Sequence, residues 1–415
     1  MQLIIPQLIL LLFQNQINCQ GCPNGIRIRP NYLTMSPSDR QAFHSAINQL
    51  YQNNNAQSIY NNFTKVHYDV GNGAHNTPNF FPWHRVYIRL FEIELQKINP
   101  SIMLPYWDWS RDSQAPERSR VFYPDHMGGN GGPLKAGGCL MDGPFSGWQT
   151  TVPVLHCVSR FFKGGKEIPA WHSSQSISSF MDNDRDYNTF HQDIEPAPHG
   201  SVHVGIGGNG GDMSYMNSPA DPIFWLHHTF VDLIWREWSK RNPNGNKSFP
   251  NANQGMAVYG VPPSSVFDTT VDGYCYDYPR WSVNMPNVDP NTPPQSPAPA
   301  NTDPHNAPLP VGDEDKPCNS WLGLGIGCKR RRQLEDLIES IDLFKLILDI
   351  VNWPGYLNPL DRSKTHKIRV PFKIPEAYLK MMNIPVKLAR KAELKSSIVS
   401  CKLNLIPGYD PQLDL

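Results

Sequence analysis

Fourteen histidines occur in the chain, and seven of them crowd into two short windows, 67–84 and 199–228. The first holds His67, His75 and His84; the second holds His199, His203 and the doublet His227 and His228. Imidazole is the commonest metal-ligating side chain and suits copper, zinc, iron and nickel alike. His199 and His203 stand four residues apart, so a helix started by Pro198 aims both rings to one side, and Gly205 is expected to end it. On the helix announced by Asp221-Pro222, His228 shares a face with Phe224, Asp232 and Trp235, where Asp232 could accept a hydrogen bond from an imidazole. His227 points about 100° away, and spacing alone leaves either member of the doublet eligible as a ligand. Missing residues narrow the chemistry. No Glu-x-x-His stands in either window, as carboxylate-bridged iron pairs require, and no paired cysteines stand beside the histidines as in structural zinc sites. Two all-imidazole triads fit a copper pair cycling between Cu(I) and Cu(II) around dioxygen, with three-histidine zinc as the competing chemistry. His44, His126, His156, His172, His191, His305 and His366 lack such company and read as ordinary buried or surface residues.

Helices are the natural carriers of such groups. Ser36-Pro-Ser-Asp39 predicts a helix start, with Ser36 as N-cap and Pro37 at the first helical position; Phe43, Ile47 and Leu50 follow at helical spacing. From Phe81 toward Ile98 a second helix places His84, Ile88, Phe91 and Leu95 on one face. A third runs from Asp221-Pro222 to about Lys240. Strand signal is sparse, and the glycine-rich stretches 128–138 and 205–211 read as loops. Forty prolines and thirty glycines agree with a mainly α fold that carries extensive irregular connections.

Lys plus Arg equals Asp plus Glu at 37 each, which leaves no electrostatic footprint for nucleic acid or an anionic membrane; a small neutral substrate fits better. The apolar run Leu8 to Phe13 reads as a secretory leader, residues 1–19, and is too short to span a bilayer. Eight cysteines suit an oxidising, extracellular compartment; Cys139 with Cys157 is the preferred pair, and Cys318 and Cys328 could close a small loop. Asn62-Phe-Thr and Asn246-Lys-Ser are glycosylation sequons. A main domain, 20–285, precedes a Pro-rich linker, 286–317, and an extension, 318–415. The extension contains the basic stretch 329–332 and an apolar helical stripe from Leu334 to Val351.

These residues resemble the tyrosinase family of type-3 dicopper proteins, which includes catechol oxidases and molluscan haemocyanins. Ala74-His75 and Phe80-Phe-Pro-Trp-His84-Arg look like its first copper motif, with His67 upstream. Asp221-Pro-Ile-Phe-Trp-Leu-His-His228, with Asp232 and Trp235, looks like the second, preceded by Pro198-His199 and His203; the motif's third ligand matches His228 rather than His227. Pro105-Tyr-Trp-Asp-Trp109, Gly143-Pro-Phe and the tyrosines 274, 276 and 278 extend the likeness over about 27–278. Leader, linker and cysteine usage look most like secreted animal members, such as those of molluscan mantle and shell.

The resemblance implies a four-helix bundle around two copper ions, each held by three imidazoles: His67, His75, His84 and His199, His203, His228. It implies oxidation of o-diphenols to o-quinones with dioxygen, serving pigmentation or cross-linking of matrix proteins, with an oxygen carrier or a catalytically silent matrix protein as the alternatives. Phe80 resembles the aromatic that packs over the site. Gly73 takes the place of a cysteine that some members cross-link to the second ligand, so no thioether to His75 forms. Gly200 stands where many monophenol-hydroxylating members have asparagine; Glu195 is the candidate for the glutamate that acts with it as catalytic base. Family members often carry a C-terminal segment over the site, which makes the extension a candidate removable plug, processed after Arg332.

Overall fold

The computed structural model describes residues 22–51, 58–133, 137–271, 273–283 and 368–404. The expected leader, the linker, the Cys318 and Cys328 loop, the basic stretch 329–332 and the stripe from Leu334 lie outside them. Among the described residues, 22–283 and 371–396 form one compact unit.

Helix α1 (Pro37–Tyr51) starts where Ser36 predicts. The Ser36 hydroxyl accepts from the Asp39 N–H at 3.1 Å and donates to the Asp39 carboxylate at 2.7 Å. Helix α2 (Ile59–Val70) is capped by Ser58, whose hydroxyl accepts from the Asn61 N–H. It buries Tyr60, Phe63 and His67, but Asn61, Asn62 and Lys65 dilute the stripe that would announce it in the sequence. Helix α3 (Phe80–Ile98) and helix α7 (Ile223–Arg241) are the long, largely buried pair, and they pack against each other. Pro222 takes the N-cap of α7, one residue later than the sequence predicts; Asp221 before it accepts from the Ile223 N–H at 3.1 Å, and Arg160 locks the same carboxylate through Nε and Nη2.

Between them lie α4 (Ser174–Asn183), α5 (Tyr187–Ile194), a π turn (Glu195–His199) and α6 (Gly200–Gly207). Pro196 and Pro198 have no N–H, so the regular ladder is interrupted and the chain takes a wider turn there. Gly205 does not end this segment. The helix runs to Gly207 and stops at Gly208, whose φ of +52° suits glycine.

Among the described residues, sheet is confined to two pairs: β1 (Arg27–Ile28) parallel to β4 (Tyr276–Asp277), and β2 (Gln149–Thr150) antiparallel to β3 (His156–Cys157). Disulfides join Cys139 to Cys157, as expected, and Cys22 to Cys275 beside the first sheet. The fold is therefore mainly α with long irregular connections. Two further helices, α8 (Glu376–Met381) and α9 (Val386–Leu403), complete the described chain. None of the described helices is long and apolar enough to cross a membrane.

Candidate metal centre

Each histidine of the two windows is delivered by a different local device. His67 projects from the last turn of α2, His75 from the loop after it, and His84 from the first turns of α3. His199 ends the π turn, His203 lies within α6, and His227 and His228 lie in α7. Nδ1 of His67 donates to the Met216 carbonyl at 2.7 Å, that of His75 to Gly71 at 2.9 Å and that of His84 to Phe80 at 2.8 Å. His199 donates to the Glu195 carbonyl at 2.9 Å and His203 to Met213 at 2.8 Å. A carbonyl can only accept, so in these five rings the proton sits on Nδ1 and the Nε2 lone pair is left to bind.

Those lone pairs converge. His67 and His84 bring Nε2 atoms to 3.4 Å, and His203 and His228 to 3.2 Å. His67, His75 and His84 form one group whose ligand atoms all lie within 4.8 Å of one another; His199, His203, His227 and His228 form a second. The rings of His84 and His228 stack at 4.4 Å, which sets the two groups side by side. Burial is close to complete, and it holds these imidazoles below the ordinary histidine range, His203 down to about 3; neighbouring imidazoles push His67, His84, His199 and His228 further down. His75 is also lowered by burial, against the charge of Glu195. Neutral rings with directed lone pairs are what a metal ion needs. The Nε2 atom of His199 and both ring nitrogens of His227 are buried without a hydrogen-bond partner, and neither group contains a thiolate or carboxylate. The donor set thus fits two copper ions.

Phe80 lies between the groups, its ring 4.8 Å from those of both His84 and His199. Glu195 is brought to the same place: Oε1 accepts from the Asn76 N–H at 2.7 Å, next to His75, and Oε2 meets Nε2 of His191 at 2.5 Å. His191, set aside in the sequence as ordinary, is therefore in company; its spacing of four from Glu195 was the available signal. Asp232 departs from expectation. It takes Arg85 Nε, Arg29 and the hydroxyls of Tyr276 and Tyr278, and none of its hydrogen bonds goes to an imidazole. Nδ1 of His228 has no partner.

Residues 371–396, within the extension that the resemblance made a candidate plug, supply further neighbours whose identities the sequence did not single out. A Cβ built on Gly200 would lie 3.2 Å from Cε1 of Tyr378, and the Asn76 side chain donates to the Asn383 carbonyl at 2.5 Å. Tyr378, Leu379, Met382 and Ile384 form an apolar cluster with Val204, the neighbour of His203.

Two buried, all-imidazole groups set side by side define a binuclear histidine metalloprotein. The family model "Common central domain of tyrosinase" matches residues 57–241. The chain is 33% identical to a tyrosinase of Streptomyces glaucescens over 236 residues, 52% of this chain and 84% of the relative. It is 30% identical to a tyrosinase of Streptomyces antibioticus over 275 residues, 59% of this chain and 97% of the relative. A solved polyphenol oxidase of Thermothelomyces thermophila aligns with a TM-score of 0.48 at 21% identity, covering 61% of this chain and 89% of that one. The chain belongs to the tyrosinase family of type-3 dicopper proteins, and it is a copper oxidoreductase of the tyrosinase and catechol oxidase type.

Proposed function

We propose that the protein is a secreted oxidase of o-diphenols, with His67, His75 and His84 holding one copper and His199, His203 and His228 the other. The observation that carries this is the shared fixing of Nδ1 on backbone carbonyls, which turns an Nε2 lone pair from each of five rings toward a common centre. Two catechols and one dioxygen give two o-quinones and two waters; the bound copper pair supplies the path for those electrons. The chain's own residues hold the rings, keep water out through Phe80 and set the Glu195 carboxylate beside the site. His228 is preferred to His227 because its Nε2 meets that of His203 and its ring stacks on His84. Secretion rests on the leader and on the disulfides. Asn62 is exposed and Asn246 is half-buried, so a glycan would sit on Asn62. Pigment formation or matrix cross-linking would use the quinone.

Residues 371–396 act as a removable cover in this reading. Tyr378 against Gly200 and Asn383 against Asn76 put the segment next to residues that adjoin His199 and His75. The test is copper loading followed by metal analysis and quinone assay with catechol and a monophenol, before and after cleavage in the 329–332 stretch. Two coppers per chain, catechol turnover and a rise on cleavage are expected. His228→Phe should lose one copper while His227→Phe keeps both. A fully loaded protein that forms no quinone would sink the oxidase reading, and unchanged activity on cleavage would sink the cover.

A further inference from the structure

His191 and Glu195 lie one turn apart, 5% and 1% exposed, with Nε2 and Oε2 2.5 Å apart. The other carboxylate oxygen accepts from the Asn76 N–H, and the backbone carbonyl of the same glutamate accepts from His199 Nδ1. One residue therefore touches the supports of both histidine groups. Its carboxylate plane is fixed by two donors from different parts of the chain. The His191 ring is in turn fixed by packing, stacked on Tyr187 at 8° between planes and 6.0 Å from Phe80. A carboxylate has about four acceptor directions, and two fixed donors leave the others free.

The ring of Tyr378 lies against Gly200, and its hydroxyl is raised above the usual phenol range by burial and then by the charge of Glu195. Gly200 contributes no polar side chain. A monophenol has one hydroxyl to orient, so its placement depends on an acceptor from the protein, whereas a catechol carries a second oxygen that can reach the metal pair without it.

We propose that His191 is a positioning residue for monophenol binding: it holds the Glu195 carboxylate in the plane where that group accepts a hydrogen bond from the single hydroxyl of the incoming phenol. The inference rests on the oxidase reading for its biological sense but is measurable without turnover. Copper-loaded full-length protein, intact and after limited proteolysis of the extension, is titrated anaerobically with 4-ethylphenol by calorimetry, for the native chain, His191→Leu and His191→Gln. Glutamine keeps an N–H donor near the place of Nε2; leucine does not.

Loss of the donor should weaken 4-ethylphenol binding about tenfold in His191→Leu, with most of it restored in His191→Gln. Copper content should stay at two per chain, and the aerobic KM for catechol should stay within about twofold, as for a change confined to one hydrogen bond. Unchanged 4-ethylphenol affinity in the leucine variant overturns the proposal, as does absence of binding by the native chain in both forms. Equal weakening of phenol and catechol, or loss of copper, assigns His191 a structural role and also overturns it. Weakened phenol binding together with no quinone from catechol in the native chain would instead retire the oxidase reading and leave the proposal standing.

Discussion

Four donors meet one buried carboxylate at Asp232: Arg85 Nε at 2.6 Å, Arg29 at 3.3 Å, and the hydroxyls of Tyr276 and Tyr278 at 2.6 and 2.7 Å. Arg29 also makes a two-point contact with Glu92, whose carboxyl it helps hold below the usual range although burial pushes the other way. Desolvating these ions is costly, so the cluster's net contribution is small while it is complete. Breaking it is different. Asp232→Ala leaves two buried guanidiniums short of charge, and it should cost about 3–5 kcal/mol in guanidinium denaturation of the metal-free protein, with Asp232→Asn costing less. A loss below about 1 kcal/mol would mean that water replaces the carboxylate, as in an exposed ion pair. The sequence places Asp232 one turn after His228 and suggests an imidazole partner. Helical spacing reports which residues share a face but not what a neighbouring helix sets against that face; here α3 brings Arg85. His191 was missed for a different reason: its spacing of four from Glu195 was visible, but the hold of Asn76 on that carboxylate, which sets the pair beside the site, was not.

At the scale of elements, the segment from α5 through the π turn to α6 does the most to shape the second histidine group. It is a nearly continuous helical stretch with two prolines in its middle, and the wide turn puts the Glu195 carbonyl on Nδ1 of His199. Close packing then requires glycine further on. A Cβ on Gly205 would come within 2.4 Å of Trp171 Nε1 and 3.0 Å of Ile168 Cγ2, distances at which something must move. Gly205→Ala should therefore lower stability by about 1–3 kcal/mol, the usual cost of overpacking. It should also reduce copper occupancy below two per chain, because α6 carries His203; denaturation midpoint and metal analysis check both. Full stability with full occupancy would show that the Trp171 indole can yield. Helices with a capping residue and an apolar stripe, α1, α3 and α7, were legible in the sequence. Helix α2 was hidden by its asparagines; α6 was legible from Pro198 through His203, but its end was lost to glycines that read as loop although burial on every side demands them. The two histidine groups were legible through their bunching; spacing left His227 and His228 tied, and the resemblance of the motif chose His228.

For the molecule as a whole, two kinds of tie connect distant parts of the chain. Two disulfides between described residues span 18 and 253 residues, and loop-closure entropy makes the longer one the greater constraint on the unfolded chain. Replacing Cys22 and Cys275 by serine should cost about 5 kcal/mol against about 3 kcal/mol for Cys139 and Cys157, read from equilibrium denaturation. The reverse order would place the effect in the folded state.

The second tie is electrostatic and reversible. Lys395, on α9, reaches Asp184 at 3.0 Å and also Asp193, and neighbouring Ser396 hydrogen-bonds the buried His172 at 2.5 Å. Burial would lower the ammonium, but the two carboxylates outweigh it and raise the group above 10.5; burial and then the charge of Asp193 raise Asp184. A raised lysine stabilises the docked segment fully below about pH 10.5 and loses that contribution as pH climbs through the folded value. The raised aspartate works in the same sense: its charged form is disfavoured, so stability falls as pH rises through its folded value, and protonation on acidification relieves repulsion with Asp193 rather than breaking the clasp. Alkali, not mild acid, should therefore free residues 371–396. At neutral pH the same release follows from Lys395→Met, which leaves two buried carboxylates facing each other. The ammonium is partly exposed, so the full buried-pair penalty is discounted to roughly 2–3 kcal/mol, or about 30- to 150-fold in the opening equilibrium. Hydrogen exchange of α8 should accelerate by that factor while exchange in α3 and α7 stays unchanged. Catechol turnover by the intact, copper-loaded variant should rise in step, provided the segment is the cover. Faster exchange without added turnover would keep the clasp and remove the cover; unchanged exchange would remove the clasp.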